Sequence, residues 1–242
     1  MKASLFITCV NDVFYPRVGK AMVQVLRKCG VQLDFPEGQV CCGQPSYNSG
    51  YHEETRQAAK QIISAFANSE YVVGASGSCV GMIKQHYPEL FQDEPDWEDR
   101  ARELSQKIYE FSQFLVEVLR VEDVGAVLNA TATYHQSCHM TRILKETETP
   151  KRLLEKVQGL EMVELPLGTD CCGFGGTFSV KMAHISEAMV QEKTEHIMET
   201  KARVLIGADM ACLMNISGRL RRNGQKLRVM HIAEVLAEGS AG

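Results

Sequence analysis

Eight of the chain's nine cysteines fall into two copies of one pattern, Cys9-x31-Cys41-Cys42-x36-Cys79 and Cys138-x32-Cys171-Cys172-x39-Cys212. Around the vicinal pairs the copies align without a gap: Phe35–Gly43 reads FPEGQVCCG and Leu165–Gly173 reads LPLGTDCCG. Such self-similarity means two related structural units, and two copies are too few for a solenoid. The chain is therefore expected to form a pseudo-symmetric pair of cysteine-rich domains, residues 1–124 and 125–242. They join near residues 121–130, where VEDVGAVLNA separates a helical pattern from the next strand.

Periodicity places the cysteines. Ser4–Cys9 reads as a buried strand, Val18–Lys28 has helical apolar spacing and stops at Gly30, and Val31–Phe35 reads as a second strand. A helix from about Glu53 to Asn68 leads into the strand YVVGAS. In the second half TATYHQSC, a helix near Arg152–Val157, EMVEL, a helix near Ile185–Met198 and VLIGAD repeat the order. This alternation predicts an α/β fold of two βαβ-type repeats with mainly parallel sheets. Cys9 and Cys138 then end the first strand of each half, the pairs follow the second strand, and Cys79 and Cys212 follow the third. All eight lie at the carboxyl ends of strands, where open α/β sheets bind ligands.

The compartment sets the thiol chemistry. The apolar run in MKASLFITCV is too short for a signal-peptide core, and no segment approaches the roughly 18 apolar residues of a membrane span. The chain is read as cytoplasmic, without direct membrane insertion, and there its cysteines do not form a disulfide framework. Four thiolates per unit suit an iron–sulfur cluster, so 4Fe–4S clusters are expected, one or two per chain, on Cys9, Cys41, Cys42 and Cys79 and on Cys138, Cys171, Cys172 and Cys212. Structural zinc also uses four thiolates, but generally on short C-x2-4-C hooks. A thiol–disulfide enzyme would work through Cys41-Cys42 or Cys171-Cys172 without the usual C-x-x-C. Cys29 has no counterpart in the second half and is read as structural. A net charge of −4 gives no reason to expect nucleic acid as a partner.

The motifs CCGQPSYNSGY, GASGSCVGM, YHQSCHMTR, CCGFGGTFS and HIAEVL resemble, over essentially the whole chain, the lactate utilization protein A family. That family lies within the larger group of CCG-motif proteins, with the heterodisulfide reductase B subunit and the iron–sulfur subunits of anaerobic glycerol-3-phosphate dehydrogenase and glycolate oxidase. The resemblance implies an iron–sulfur electron-transfer subunit of a multi-protein cytosolic system that oxidises L-lactate to pyruvate, acting with other iron–sulfur subunits. Glycolate or another 2-hydroxy acid is the alternative substrate. The family pattern closes in Cys-x-x-Cys, giving five cysteines per unit and, in the heterodisulfide reductase relative, a non-cubane cluster pair at each site. Here Met82 and Asn215 stand at those final positions, so only four thiolates per unit carry over. The chain has no G-x-G-x-x-G fingerprint in strand-turn-helix context, which assigns any flavin or hydride acceptor to another subunit.

His135 and His139 flank Cys138 in the second half alone; a histidine can ligate metal or move a proton, and these two are candidates for catalytic proton handling at a substrate crevice or for capping strand-end backbone groups. Asp170 and Asp209, beside the second-half cysteines, either hydrogen-bond in support of the ligands or, as acidic loop residues usually are, are simply solvated. Arg219, Arg221, Arg222, Lys226 and Arg228 form a late basic cluster, a solvated face or a docking patch for an acidic redox partner. Phe91–Arg102 has no second-half counterpart and reads as an exposed insertion carrying Trp97.

Overall fold

The computed structural model describes residues 1–239. In the first half the order is β1 (Lys2–Phe6), α1 (Cys9–Phe14), α2 (Pro16–Lys28), β2 (Gln32–Asp34), α3 (Gln44–Tyr47), α4 (His52–Ala65), β3 (Val72–Gly74), α5 (Gly77–Gly81), α6 (Tyr87–Leu90), α7 (Pro95–Lys107), β4 (Ile108–Glu110) and α8 (Phe111–Gln113). The second half runs β5 (Val127–His135), α9 (Cys138–Arg142), α10 (Thr149–Leu154), β6 (Gln158–Val163), α11 (Phe178–Lys181), α12 (Ala183–Glu199), β7 (Val204–Gly207), α13 (Met210–Arg222), β8 (Arg228–His231) and α14 (Ile232–Ala237). Strand orders are β2-β1-β3-β4 and β6-β5-β7-β8, all parallel, so each half is the same α/β unit and every strand delivers its carboxyl end to one edge.

The central strands are short apolar runs buried on both faces, as Val72–Gly74 and Val204–Gly207 are along their whole length. Helices on either side bury one stripe each; α2 presents Val18, Met22, Val25 and Leu26. One continuous hydrophobic core takes residues from both halves, including Leu5, Val73 and Ala75 from the first and Ile206, Ala208 and Ile232 from the second. The carboxy-terminal α14 packs on α2, where Arg17 pairs with Glu234 at 2.5 Å. No helix among the described residues is long and apolar enough to cross a membrane.

Two expectations from the sequence are corrected. Cys9 and Cys138 do not end strands; β1 stops at Phe6 and β5 at His135, and both cysteines open short helices behind Thr8 and Ser137. Nor is Phe91–Arg102 simply exposed. It leads into α7, with Phe91 and Ala101 fully buried, because its apolar residues recur at helical spacing among the charges. Trp97 packs on Phe91, with Arg100 over its ring at 4.2 Å.

Each fourth strand ends in a buried residue that caps the helix after it. Glu110 accepts from the backbone N–H of Ser112 (2.7 Å) and Gln113 (3.3 Å), and His231 Nδ1 accepts from Ala233 N–H (3.1 Å). Gln113 and Glu234 return the bond to the cap residue's own N–H, completing capping boxes. Burial pushes the Glu110 carboxyl up to about 8. The unfolded chain ionises this group near 4.5, so across the window between the two values the folded state holds the extra proton and stability falls as pH rises. Glu110→Gln keeps an acceptor for the cap and removes the ionisation. The variant is expected to match the wild type near pH 5 and to exceed it by a few kcal/mol at pH 8, read from denaturant midpoints.

Candidate metal centres

The loops at the carboxyl edges gather four thiols in each half. In the first, Cys9 Sγ lies 3.7 Å from Cys41 Sγ, and Cys42 and Cys79 are close enough to act electrostatically on that pair. In the second, Cys138, Cys171, Cys172 and Cys212 influence one another electrostatically in the same order. Cys42, Cys79, Cys172 and Cys212 are buried, whereas the others reach the surface to differing degrees. Cys29 ends α2 away from both sets; burial raises its thiol, with no other sulfur acting on it.

Glycine makes the tight turn after each pair possible. Gly43 and Gly173 take φ of +80° and +79°, and a Cβ on Gly173 would stand 2.8 Å from the Ser186 carbonyl oxygen. The turn also brings Gly173 N–H to 3.4 Å from Cys171 Sγ. A side-chain donor fixes the carbonyl of the second cysteine in each half: Tyr87 Oη donates to Cys42 O at 3.0 Å and Asn215 Nδ2 to Cys172 O at 2.8 Å. Asn215 therefore has a structural bond at the position where the family pattern has its last cysteine. Met82 at the matching position is wholly buried among Val80, Ile83 and Phe91 in the first-half core.

Charge concentrates on the leading cysteine of each pair. Hydrogen bonds from Cys42 and Cys9 draw Cys41 down to about 3, and those from Cys138 and Cys172 draw Cys171 down to about 2. The same bonds, with burial, push Cys9, Cys42, Cys138 and Cys172 up, so a metal must displace the protons they hold. Four soft donors brought to one sheet edge, with the leading cysteine of the pair favoured as thiolate, fit an iron–sulfur group.

The helices bearing the later cysteines are held at their amino ends by one carboxylate. Asp209 caps α13 through Ala211 N–H at 3.3 Å and also accepts from Ser78 N–H (3.0 Å) and Ser76 Oγ (3.1 Å) at the start of α5. It is 2% exposed, not the solvated loop acid its sequence context implies. Across the same contact α5 packs on α9 and α1 on α13, while Ser49 and Thr177, in the loops after the two pairs, meet at 2.5 Å. The two thiol sets thus open toward a shared seam.

The histidines part company. His139 Nδ1 lies 3.6 Å from Cys138 Sγ, half-buried, with its pKa lowered by desolvation. His135 is fully buried, which pushes it down to about 3, and neither ring nitrogen has a partner. Within the basic cluster Arg219 is engaged by Glu187 (2.7 Å) and Gln191 (2.6 Å), and Arg228 by Glu238, whereas Arg221 and Arg222 are exposed. Sequence reasoning passed over Lys193. It is buried, bonds Leu167 O at 2.5 Å and lies within the field of Cys171 and Cys172; a lysine on the apolar stripe of α12 was the available signal.

The CCG family, described as a cysteine-rich domain, matches residues 3–84 and 132–217. The lactate utilization protein A of Geobacillus thermodenitrificans is 61% identical over 236 residues, 98% of each chain. That of Halalkalibacterium halodurans is 60% identical over 236 residues, 98% of this chain and 96% of the relative. A crystal structure of a hypothetical protein from Helicobacter pylori overlays with a TM-score of 0.71 at 11% identity, which shows a shared fold. All of this chain is matched there, and it spans about half of that protein's length, 49%.

Proposed function

The chain belongs to the lactate utilization protein A family, and from that membership we propose that it is an iron–sulfur electron-transfer subunit of a multi-protein cytoplasmic system oxidising L-lactate to pyruvate. The observation that carries the reading is the convergence of two four-thiol sets at the carboxyl edges of two matching parallel sheets. In it, residues 1–124 hold one centre on Cys9, Cys41, Cys42 and Cys79, and residues 125–242 hold the other on Cys138, Cys171, Cys172 and Cys212. Oxidation of a 2-hydroxy acid to a 2-oxo acid releases two electrons and two protons, and iron–sulfur groups accept electrons singly. The protein's own contribution is to hold the thiolates, keep the inner sulfurs from water and offer the seam to partner iron–sulfur subunits.

Zinc is the second reading, since four thiolates also close a tetrahedral zinc site. One ion with Zn–S bonds of about 2.3 Å would hold its sulfurs roughly 3.8 Å apart on every side. The Cys9–Cys41 separation of 3.7 Å matches that spacing. Among the described residues, however, no three cysteine sulfurs of either half come within 4.8 Å of one another, and that more open thiol set favours a larger group. Anaerobic purification separates the readings. The expected product is brown, with iron and acid-labile sulfide; a colourless zinc protein, or a metal-free one, would overturn the proposal. The isolated chain is expected to form no pyruvate from L-lactate with an artificial acceptor, and pyruvate formation would contradict the division of labour among subunits.

A further inference from the structure

We propose that His135 is a metal ligand of the second centre, placing an imidazole beside its thiolates and making the two centres of the chain chemically unequal. The inference rests on the cluster reading above and adds a residue to it.

His135 is 1% exposed, and neither Nδ1 nor Nε2 has a hydrogen-bond partner. A buried imidazole without partners is costly, because each ring nitrogen is a donor or an acceptor that has left water. The partners it does face are sulfurs: a ring nitrogen, Cys172 Sγ and Cys212 Sγ all lie within 4.8 Å of one another, the compact three-donor group among the described residues. Strand register explains the placement. His135 is the last residue of β5, in register with Gly207 of β7, the strand that leads into the helix carrying Cys212.

The first half shows what that position holds without such a role. Phe6 ends β1 opposite Gly74 in the same register and packs edge-on against Phe66, ring centroids 5.8 Å apart. A second exchange goes with the first. Thr55 and Ser186 are the residues packed under Gly43 and Gly173, and counting along α4 and α12 from them brings Ile62 and Lys193 to the same position. The second half therefore replaces two apolar core residues by an imidazole and a buried ammonium, both beside its sulfurs. A neutral nitrogen donor and a nearby cation favour the more negative, reduced state of a cluster. The second centre is accordingly expected to have the higher reduction potential and to fill first.

The test uses the whole chain, purified without oxygen from cells fed 15N-histidine, reduced stepwise and studied by pulsed electron paramagnetic resonance. A directly bonded histidine nitrogen is expected on the centre that reduces first. It should vanish in His135→Gln and persist in His139→Gln. His135→Cys, which supplies a thiolate in place of the ring, should retain iron while losing the nitrogen signal, and serves if the glutamine variant fails to fold. Iron with no bonded histidine nitrogen, or a nitrogen signal surviving in His135→Cys, overturns this inference alone. A preparation without iron overturns the cluster reading and this with it.

Discussion

Cys172→Ser protein is expected to keep about half the wild-type iron and to abolish growth on L-lactate in a strain with no other lactate oxidase. Cys172 is an inner member of the second thiol set, acted on by Cys171 and Cys212 and 2% exposed. A serine hydroxyl there is a harder and far less acidic donor, and soft metal centres discriminate strongly against it. Cys171→Ser should behave alike, since Cys171 carries the thiolate. The matching Cys41→Ser and Cys42→Ser changes should remove the first half's iron with partial growth remaining, because only the second half has His135, His139 and Lys193 near its sulfurs. Iron per chain and growth rate measured on all four variants decide the matter. Soluble, fully active Cys172→Ser protein would refute an essential second centre, and four insoluble variants would mean that the thiols serve folding in both halves equally.

The second large effect is expected from Asp209→Ala. The carboxylate accepts from two backbone N–H groups on different helices and from Ser76 Oγ, the two bonds to the serines being buried. Its removal strips the cap from α13 and leaves the Ser78 N–H without its acceptor, a loss of about 3 kcal/mol. For a chain of this size that corresponds to a fall of roughly 6–12 °C in melting temperature. Because α5 carries Cys79 and α13 carries Cys212, iron should fall in both halves, unlike in the cysteine variants. Asp209→Asn, which keeps one acceptor oxygen, should lose less than half as much. A melting temperature unchanged in Asp209→Ala would show that the bridge contributes nothing.

The contrast between these variants marks what could be read from the chain alone. Cysteine spacing and alternating apolar runs were sufficient for two α/β units with thiols at the sheet edges, because both signals are local or recur in the two halves. β4 and β8 went unread: Ile108–Glu110 and Arg228–His231 are too short to show a period and run straight into helices. Asp209 looked like any loop acid because its partners Ser76 and Ser78 lie in the other half of the sequence. His135 was noticed for its neighbour Cys138, yet what distinguishes it is burial opposite Gly207, a matter of strand register that no single segment displays. Phe91 and Ala101 were hidden by the acidic residues around them, since a charged stretch reads as exposed until the face it turns inward is known.

The common core of Leu5, Val73, Ile206 and Ile232 bears on the history of the molecule as well as on its stability. Once the halves of a duplicated chain have given their greasy faces to each other, neither can be deleted, duplicated again or traded without exposing the other. Such a chain evolves as a locked pair, free to specialise one member while the other keeps the older character. It also delivers its two cysteine-bearing edges in strict one-to-one proportion and at an unvarying distance, whatever the level of expression. Electron hopping between them would then depend on how each edge is tuned, with spacing removed as a variable.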